Sequence, residues 1–319
     1  MSAFSIAPWK DEDLAQVMDL WQRTFADRKY DFRIDEAGFR QRVLAHPDFD
    51  PEGALIAKVE KEVVGFVLAV APGPGETGYL SVLMVDSDYR RNGVGGRLLG
   101  AAEGFLSGCG KTEMRIGYKG NPITFSTGVD MKIPAYTFFL NQGFRSRGSV
   151  SLFMETTFAE FELREEIKGY IEENRSRGIL FGFCEAEHRE ALCEFMEALF
   201  PGGWEASVKS CLDGDPPYPV LIAADGPVVV GFAGPVRIGN DGRGGFTGIG
   251  TRPDYRRGKI GTVLFNLMCA EFKKRGVARN TLHTGLNNPA QEIYFGAGYR
   301  VRQLVDYGLV KRLDSHLKT

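Results

Sequence analysis

The chain repeats one phrase at domain scale. Val64-Gly65-Phe66 leads to Asp88-Tyr89-Arg90-Arg91-Asn92-Gly93-Val94-Gly95. Val230-Gly231-Phe232 leads, at the same separation, to Asp254-Tyr255-Arg256-Arg257-Gly258-Lys259-Ile260-Gly261. The copies are 166 residues apart, with none gained or lost between the landmarks. A chain of 319 residues is long enough for two domains of about 150 residues, each with its own core. Whatever the first half folds into, the second half repeats.

Each copy reads as a strand, a glycine-rich basic turn, and then an apolar helix. In the first, residues 54–59 and 63–70 form a strand pair turning at Glu60-Lys61, and residues 79–85 a buried strand entering the turn. The following helix carries Leu98, Leu99, Ala102, Phe105 and Leu106 and stops at Gly108-Cys109-Gly110. Helices are also expected over 13–25 and 36–44, a strand over 112–118, a short helix from Pro134 to Gly143, and a strand over 149–154. Residues 158–175, charged and Glu-rich, read as a helical connector. The second copy repeats the order: strand 179–183, helix 187–200, strands 220–224 and 228–236, helix 261–275, strand 280–284 and helix 289–297. The expected domains are 1–157 and 178–319, joined by 158–177.

Composition narrows the function. A net charge of -2, with 43% hydrophobic and 25% charged residues, is that of an ordinary globular protein and argues against general nucleic-acid binding. The five cysteines show no C-x-x-C spacing and read as reduced thiols, and no metal site is expected. The N-terminal residues lack a basic stretch followed by an apolar one, and no run approaches 18 apolar residues. The expectation is a cytoplasmic protein without a membrane partner.

The turn itself points to phosphate. Glycine lets the backbone approach a ligand closely, and consecutive amides at a helix start aim at one anion with the help of the helix dipole. In the first copy, Asn92, Gly93, Val94, Gly95, Gly96 and Arg97 supply such amides, next to Arg90 and Arg91. Neither G-x-x-x-x-G-K-[ST] nor the dinucleotide fingerprint is present, because Leu98 stands at the third glycine of G-x-G-x-x-G.

R-x-x-G-x-G opening a long helix after a strand, then strand, helix and a terminal Gly-aromatic, resembles the GCN5-related N-acetyltransferase (GNAT) family. The resemblance covers nearly the whole chain as two tandem domains. It implies an α/β (α+β) protein, each half a mixed, mostly antiparallel central sheet flanked by helices. It also implies acetyl-CoA as co-substrate, its pyrophosphate in the turn and its pantetheine arm along the preceding strand. Carried over by position, the strand residues are Leu83, Met84 and Val85, and in the second copy Ile249, Gly250 and Thr251. The second loop is Arg256, Arg257, Gly258, Lys259, Ile260, Gly261 and Thr262.

The copies depart from the pattern in opposite ways. In the second, Lys259 takes the place of the first glycine. Its last helix, however, reads Asn287-Asn288-Pro289-Ala290-Gln291-Glu292-Ile293-Tyr294 and then Gly298-Tyr299, close to the family's N-x-x-A-x-x-x-Y-x-x-x-G-[FY]. The resemblance makes Tyr294 the acid that protonates the departing thiolate, and Asn287 a cofactor contact. The first copy has Lys132 and Phe139 there, and a phenyl ring donates no proton. Catalysis is therefore expected in the second copy. His283, on the strand before, is the candidate relay, against the plainer reading of a hydrogen-bonded sheet residue. Arg90 and Gly143 are 53 residues apart, Arg256 and Gly298 only 42, so the first copy holds about eleven extra residues in its loop at 121–132. The expected activity is transfer of acetyl from acetyl-CoA to a primary amine in a ternary complex, a small-molecule amine being favoured over an exposed protein amine. The alternative is a non-catalytic acyl-CoA sensor.

Overall fold

The computed structural model describes residues 3–25, 34–117, 120–126, 128–214, 217–239 and 242–313. Two compact units emerge: Met1–Ser151 with Gln303–Thr319, and Leu152–Arg302.

The first unit opens with β1 (Ser5–Pro8), α1 (Leu14–Thr24) and α2 (Glu36–Phe39), the last continuing as a wider turn through Leu44. Then come β2 (Ala54–Val59), β3 (Glu62–Val70) and β4 (Thr77–Val85). Helix α3 (Val94–Gly108), β5 (Glu113–Ile116), β6 (Val129–Asp130), α4 (Pro134–Asn141), β7 (Arg145–Ser146) and β8 (Val150–Thr157) follow. Tyr118, in the expected strand 112–118, lies outside the described residues. β3 is buried on both faces because helices cover both. Phe66 and Leu68 join Trp21, Phe39, Val17 and Leu20 on the α1 side. Val64 and Val67 join Leu98, Leu99, Ala102 and Leu106 of α3 on the other. The α3 leucines recur at helical spacing, so one stripe of the helix meets the sheet.

The second unit holds α5 (Glu165–Ser176), β9 (Ile179–Phe183), α6 (Arg189–Leu199), α7 (Gly203–Leu212), β10 (Leu221–Asp225) and β11 (Val228–Gly234). It continues with β12 (Arg237–Ile238), β13 (Arg243–Gly245), β14 (Gly248–Thr251), α8 (Ile260–Lys274), β15 (Arg279–Gly285) and α9 (Gln291–Gly296). The chain ends in β16 (Arg300–Asp306) and β17 (Leu309–Arg312).

Strand order departs from simple duplication. The first sheet runs β1-β2-β3-β4-β5-β17-β7, so its sixth strand comes from the end of the chain. β17 runs antiparallel to β5, Leu309 opposite Ile116 and Arg312 opposite Glu113. Conversely, β8, which follows the last helix of the first copy, lies next to β15, and Glu155 on it pairs with Arg279 and Arg302 within the second unit. The compact units thus divide the chain differently from the expected 1–157 and 178–319. Within the expected helical connector, α5 packs on β9 and α8.

Candidate active site

In the first unit the site is built where β4 leaves its neighbour. β4 pairs in parallel with β5 from Thr77–Glu113 to Leu80–Ile116 and no further, so Ser81, Val82, Leu83, Met84 and Val85 run on without a β5 partner. Their backbone donors and acceptors on that edge face a gap between the strands. On the other edge the register with β3 slips: Leu68 faces Val82 and Ala69 faces Leu80, leaving Ser81 as the extra residue of a bulge. Past the bulge Val82 and Met84 join the α1 cluster, while Leu83 and Val85 pack toward α3.

The turn follows at once. Asp86 Oδ1 accepts the Asp88 amide at 3.0 Å, and Oδ2 accepts Arg23 Nη2 at 2.8 Å. Burial works to raise the Asp86 carboxyl, but the Asp88 amide and Arg23 outweigh it and hold it below its ordinary value. Arg90 Nε donates to the Val85 carbonyl at 2.9 Å. Arg91 takes φ of 66° and Gly93 φ of 84°, which turns the chain sharply so that α3 begins at Val94. The first helical bond runs from the Arg97 amide to the Gly93 carbonyl at 3.1 Å. The amides of Val94, Gly95 and Gly96 therefore have no partner within the helix and, with the helix dipole, form an anion seat.

A cavity of about 690 Å³ joins this seat to the end of α1 and the extra loop. Leu83, Met84, Val85, Arg90, Arg91, Gly93, Gly95 and Gly96 line it, all expected from sequence. Residues that sequence reasoning did not assign to a site complete it: Trp21, Thr24 and Phe25 from the end of α1, and Thr124, Phe125, Ser126, Gly128 and Asp130 from the extra loop. Asn121 ties that loop to the bulge, donating Nδ2 to Ser81 Oγ at 3.0 Å and accepting the Ile123 amide at 3.1 Å. Asp130 is only 8% exposed, and its Oδ1 accepts the Lys132 amide at 3.0 Å. The signal for these residues was the eleven-residue excess itself. Trp21 and Phe25, at helical spacing, read simply as core.

The second copy repeats the turn. Arg257 takes φ of 72°, Lys259 takes φ of 58° as the residue before α8, and the Val263 amide bonds the Lys259 carbonyl at 2.9 Å. Lys259 thus adopts the left-handed conformation of Gly93, at a cost of about 1–2 kcal/mol for a residue with a Cβ. Its surroundings differ. Asn174 of α5, 1% exposed, donates Nδ2 to the Gly258 carbonyl at 2.8 Å, and Lys259 Nζ lies 5.5 Å from the Tyr170 ring centroid. On β14 a Cβ at Gly250 would come within 2.3 Å of Phe200, and one at Gly248 within 2.6 Å of Trp204. Those rings, stacked 5.6 Å apart, cover the strand face that Val82 and Met84 occupy in the first copy. Ile249 and Thr251 are half-buried.

Tyr294 is 7% exposed, between Phe265 at 4.9 Å and Tyr299 at 6.3 Å, and burial pushes its hydroxyl up to about 12. Tyr299 donates to Asn280 Oδ1 at 2.6 Å, which puts the tyrosine pair on the Asn280 face of β15. His283 sits on the other face by strand alternation, exposed, 4.7 Å from the Phe153 ring. The structure does not bring these two candidates together. Asn287 is exposed in the turn before α9. In the first copy Phe139, 6% exposed against Phe144, lines the cavity.

The family model for the acetyltransferase (GNAT) family matches residues 14–120 and 186–299, more than half of the chain and once in each copy. The chain belongs to the GNAT family. It is an N-acetyltransferase with tandem GNAT domains. Among solved structures it is similar to a GCN5-related glucosamine N-acetyltransferase region in a fungal multi-domain GH3 β-N-acetylglucosaminidase, with TM-score 0.66 and 18% identity. That match covers 97% of this chain and 38% of the fungal one, so the chain spans well under half of that protein. A GCN5-related N-acetyltransferase from Sphaerobacter thermophilus gives 0.63 at 15% identity, over 97% and 96% of the two chains. A tandem GNAT protein from the clavulanic acid biosynthesis pathway gives 0.58 at 14%, over 98% and 99%. At such identities the likeness is one of fold. A comparison with curated proteins gives no significant match.

GNAT enzymes use acetyl-CoA, and the first copy has the parts for it. Three free helix amides and two arginines suit a pyrophosphate, and the unpaired edge of β4 suits the amide-bearing pantetheine arm. Among the described residues no cluster of His, Cys, Asp and Glu could hold a metal, and no helix is long and apolar enough to cross a membrane.

Proposed function

We propose that the protein transfers acetyl from acetyl-CoA to the primary amine of a small molecule, directly in a ternary complex, within the cavity of the first copy. One observation carries this reading: a single cavity of about 690 Å³ runs from the phosphate loop along the free edge of β4 to a separate wall of α1 and loop residues. That volume is in the range of sites that enclose small ligands. Arg91 and the amides of residues 94–96 hold the pyrophosphate. A free amide on the β4 edge supports the oxyanion as the amine nitrogen bonds to the thioester carbon and the C–S bond breaks. Phe139 gives the departing thiolate no proton, so the proton comes from the attacking nitrogen or from water.

A second reading keeps Tyr294 as general acid in the second copy. Its support is the last helix of that copy, where Asn287, Ala290, Tyr294 and Gly298 keep the family spacing that the first copy lacks. Under it His283, on the opposite face of β15, takes no part in the step.

A matched pair of substitutions tests the two readings. A Cβ at Gly96 meets only Gln142, at 3.9 Å, so Gly96→Asp adds charge without crowding, in a helix first turn that favours an acidic residue. A carboxylate about 5 Å from a phosphate costs roughly 3 kcal/mol at an effective dielectric of 20, on the order of a hundredfold in affinity. Thr262→Asp makes the same change in the second copy. Gly96→Asp is expected to abolish thiol release and remove one acetyl-CoA site in calorimetry, while Thr262→Asp leaves turnover intact. The reverse result assigns catalysis to the second copy.

A further inference from the structure

The far wall of the first cavity carries a chemical preference of its own. Among its described lining residues only Arg90, Arg91 and Asp130 are charged, and both arginines belong to the phosphate loop. Away from that loop the described lining offers one carboxylate. Around it stand rings: Trp21 meets Phe125 edge to face at 4.8 Å and Phe25 at 5.2 Å. Phe125 is held in place from outside the lining, where the Arg42 guanidinium lies 4.5 Å from its centroid and donates to the Thr124 carbonyl.

Asp130 is fixed as firmly. It pairs with Val305 across β6 and β16, and the Met131 amide donates to the Leu304 carbonyl at 2.7 Å. A buried carboxylate beside three aromatic rings favours a cation, and a single one, with the hydroxyls of Thr24, Thr124 and Ser126 the other polar groups of this part of the described lining. A polyamine would bring further ammonium groups to a wall whose described residues offer no second carboxylate, and three rings take up an apolar body better than the hydroxyl-rich body of an amino sugar.

Resting on the assignment of transfer to this cavity, we infer that the acceptor is a monoamine with an aromatic or branched apolar body, its ammonium read by Asp130 and its body by Trp21, Phe25 and Phe125. Asp130 takes one proton from the ammonium. The freed lone pair forms the N–C bond, the C–S bond breaks, and a second nitrogen proton goes to the thiolate. The proton on Asp130 returns to solvent, so ammonium and thioester give amide, thiol and one proton.

The test measures thiol release from acetyl-CoA with 2-phenylethylamine, spermidine and glucosamine, together with calorimetric binding of 2-phenylethylamine to the CoA-loaded protein. The expected result is kcat/KM for 2-phenylethylamine at least tenfold above either polar amine. Asp130→Asn should lower it about a hundredfold with acetyl-CoA affinity unchanged. Phe125→Leu, close in size and chosen because Phe125 is largely buried, should narrow the preference for the aryl amine. Preference for spermidine or glucosamine, or wild-type kinetics in Asp130→Asn, overturns the inference. So does failure of 2-phenylethylamine to bind. If Gly96→Asp still abolishes transfer to another amine, the seat of transfer stands and only the acceptor class is wrong. If Gly96→Asp leaves turnover intact, the seat itself has failed.

Discussion

Gly128 is the point where the extra loop touches the end of the chain, and replacing it should uncouple acceptor from cofactor. A Cβ there would lie 2.2 Å from the Asp306 carbonyl oxygen and 2.7 Å from both the Asp306 carbonyl carbon and Tyr307 Cα. Ordinary contact begins at 3.4 Å, so one side must retreat by about 1.2 Å. Asp306 is fully buried, with Oδ1 on the Gly308 amide at 2.8 Å and Oδ2 on the Tyr136 hydroxyl at 3.0 Å. The hairpin is therefore held from two sides, and the loop yields. Crowding of this kind costs about 1–3 kcal/mol, and each ladder bond lost between β6 and β16 adds about 1. The sum for Gly128→Ala is roughly 2–4 kcal/mol, or a fall of about 5–15 °C in the first unit's melting midpoint. A shift of about 1 Å at reacting groups costs on the order of a hundredfold in rate. The amine kcat/KM should fall by that factor, while acetyl-CoA, held by the distant turn, binds as before. Scanning calorimetry, amine kinetics and an acetyl-CoA titration read the three quantities separately. Wild-type melting and kinetics would refute the argument, because the loop would then not depend on this contact. Equal loss of acetyl-CoA binding would refute the independence of the two ends of the cavity.

Gly104, inside α3 with open space where its Cβ would stand, makes the opposite case. Gly104→Ala should stabilise the protein by about 0.5–1 kcal/mol without changing kinetics, read as a rise in melting midpoint. Tyr294 gives a pH signature. Its hydroxyl titrates near 12 in the fold against about 10 when unfolded, so its contribution is intact below pH 10 and is lost as pH rises from 10 toward 12. Wild type should lose about 1.4 kcal/mol more than Tyr294→Phe per pH unit in that window, measured by urea unfolding at pH 9 and 11. Parallel curves for the two proteins would mean the tyrosine is not buried as described.

The duplication, the two turns and most of the elements leading to them were legible because each rests on local chemistry. Glycine and arginine spacing marks the turn, and the helical recurrence of Leu98, Leu99, Ala102 and Leu106 marks the face that meets the sheet. Helix α7 was hidden behind Pro201-Gly202-Gly203, which reads as a stop although Gly202 opens the next helix. The partners of β8 and β17 were not legible at all. A strand's own pattern states which faces are buried, not which neighbour it pairs with. Asp130 escaped notice for a related reason. It owes its burial to pairing with Val305, 175 residues further along the chain, which no local spacing encodes.

The same limit explains why sequence comparison of the copies favoured the second. It weighed Lys259 against Tyr294 as single residues, and the structure makes Lys259 the lesser difference. Lys259 and Gly93 hold nearly the same backbone conformation, so both turns present helix amides in the same way. Loop geometry alone therefore does not separate the copies. What separates them is the strand face beyond the turn. In the first copy Val82 and Met84 leave a chamber that the eleven extra residues help to wall. In the second, two glycines admit Phe200 and Trp204 against the strand itself. A side chain at Gly250 would collide with Phe200 at 2.3 Å, so the glycine and the ring imply one another. Phe200→Ala together with Trp204→Ala should accordingly open space beside β14. If a second catalytic chamber is latent there, that double variant should gain amine turnover that survives Gly96→Asp, and its failure to do so would leave the first copy as the seat of transfer.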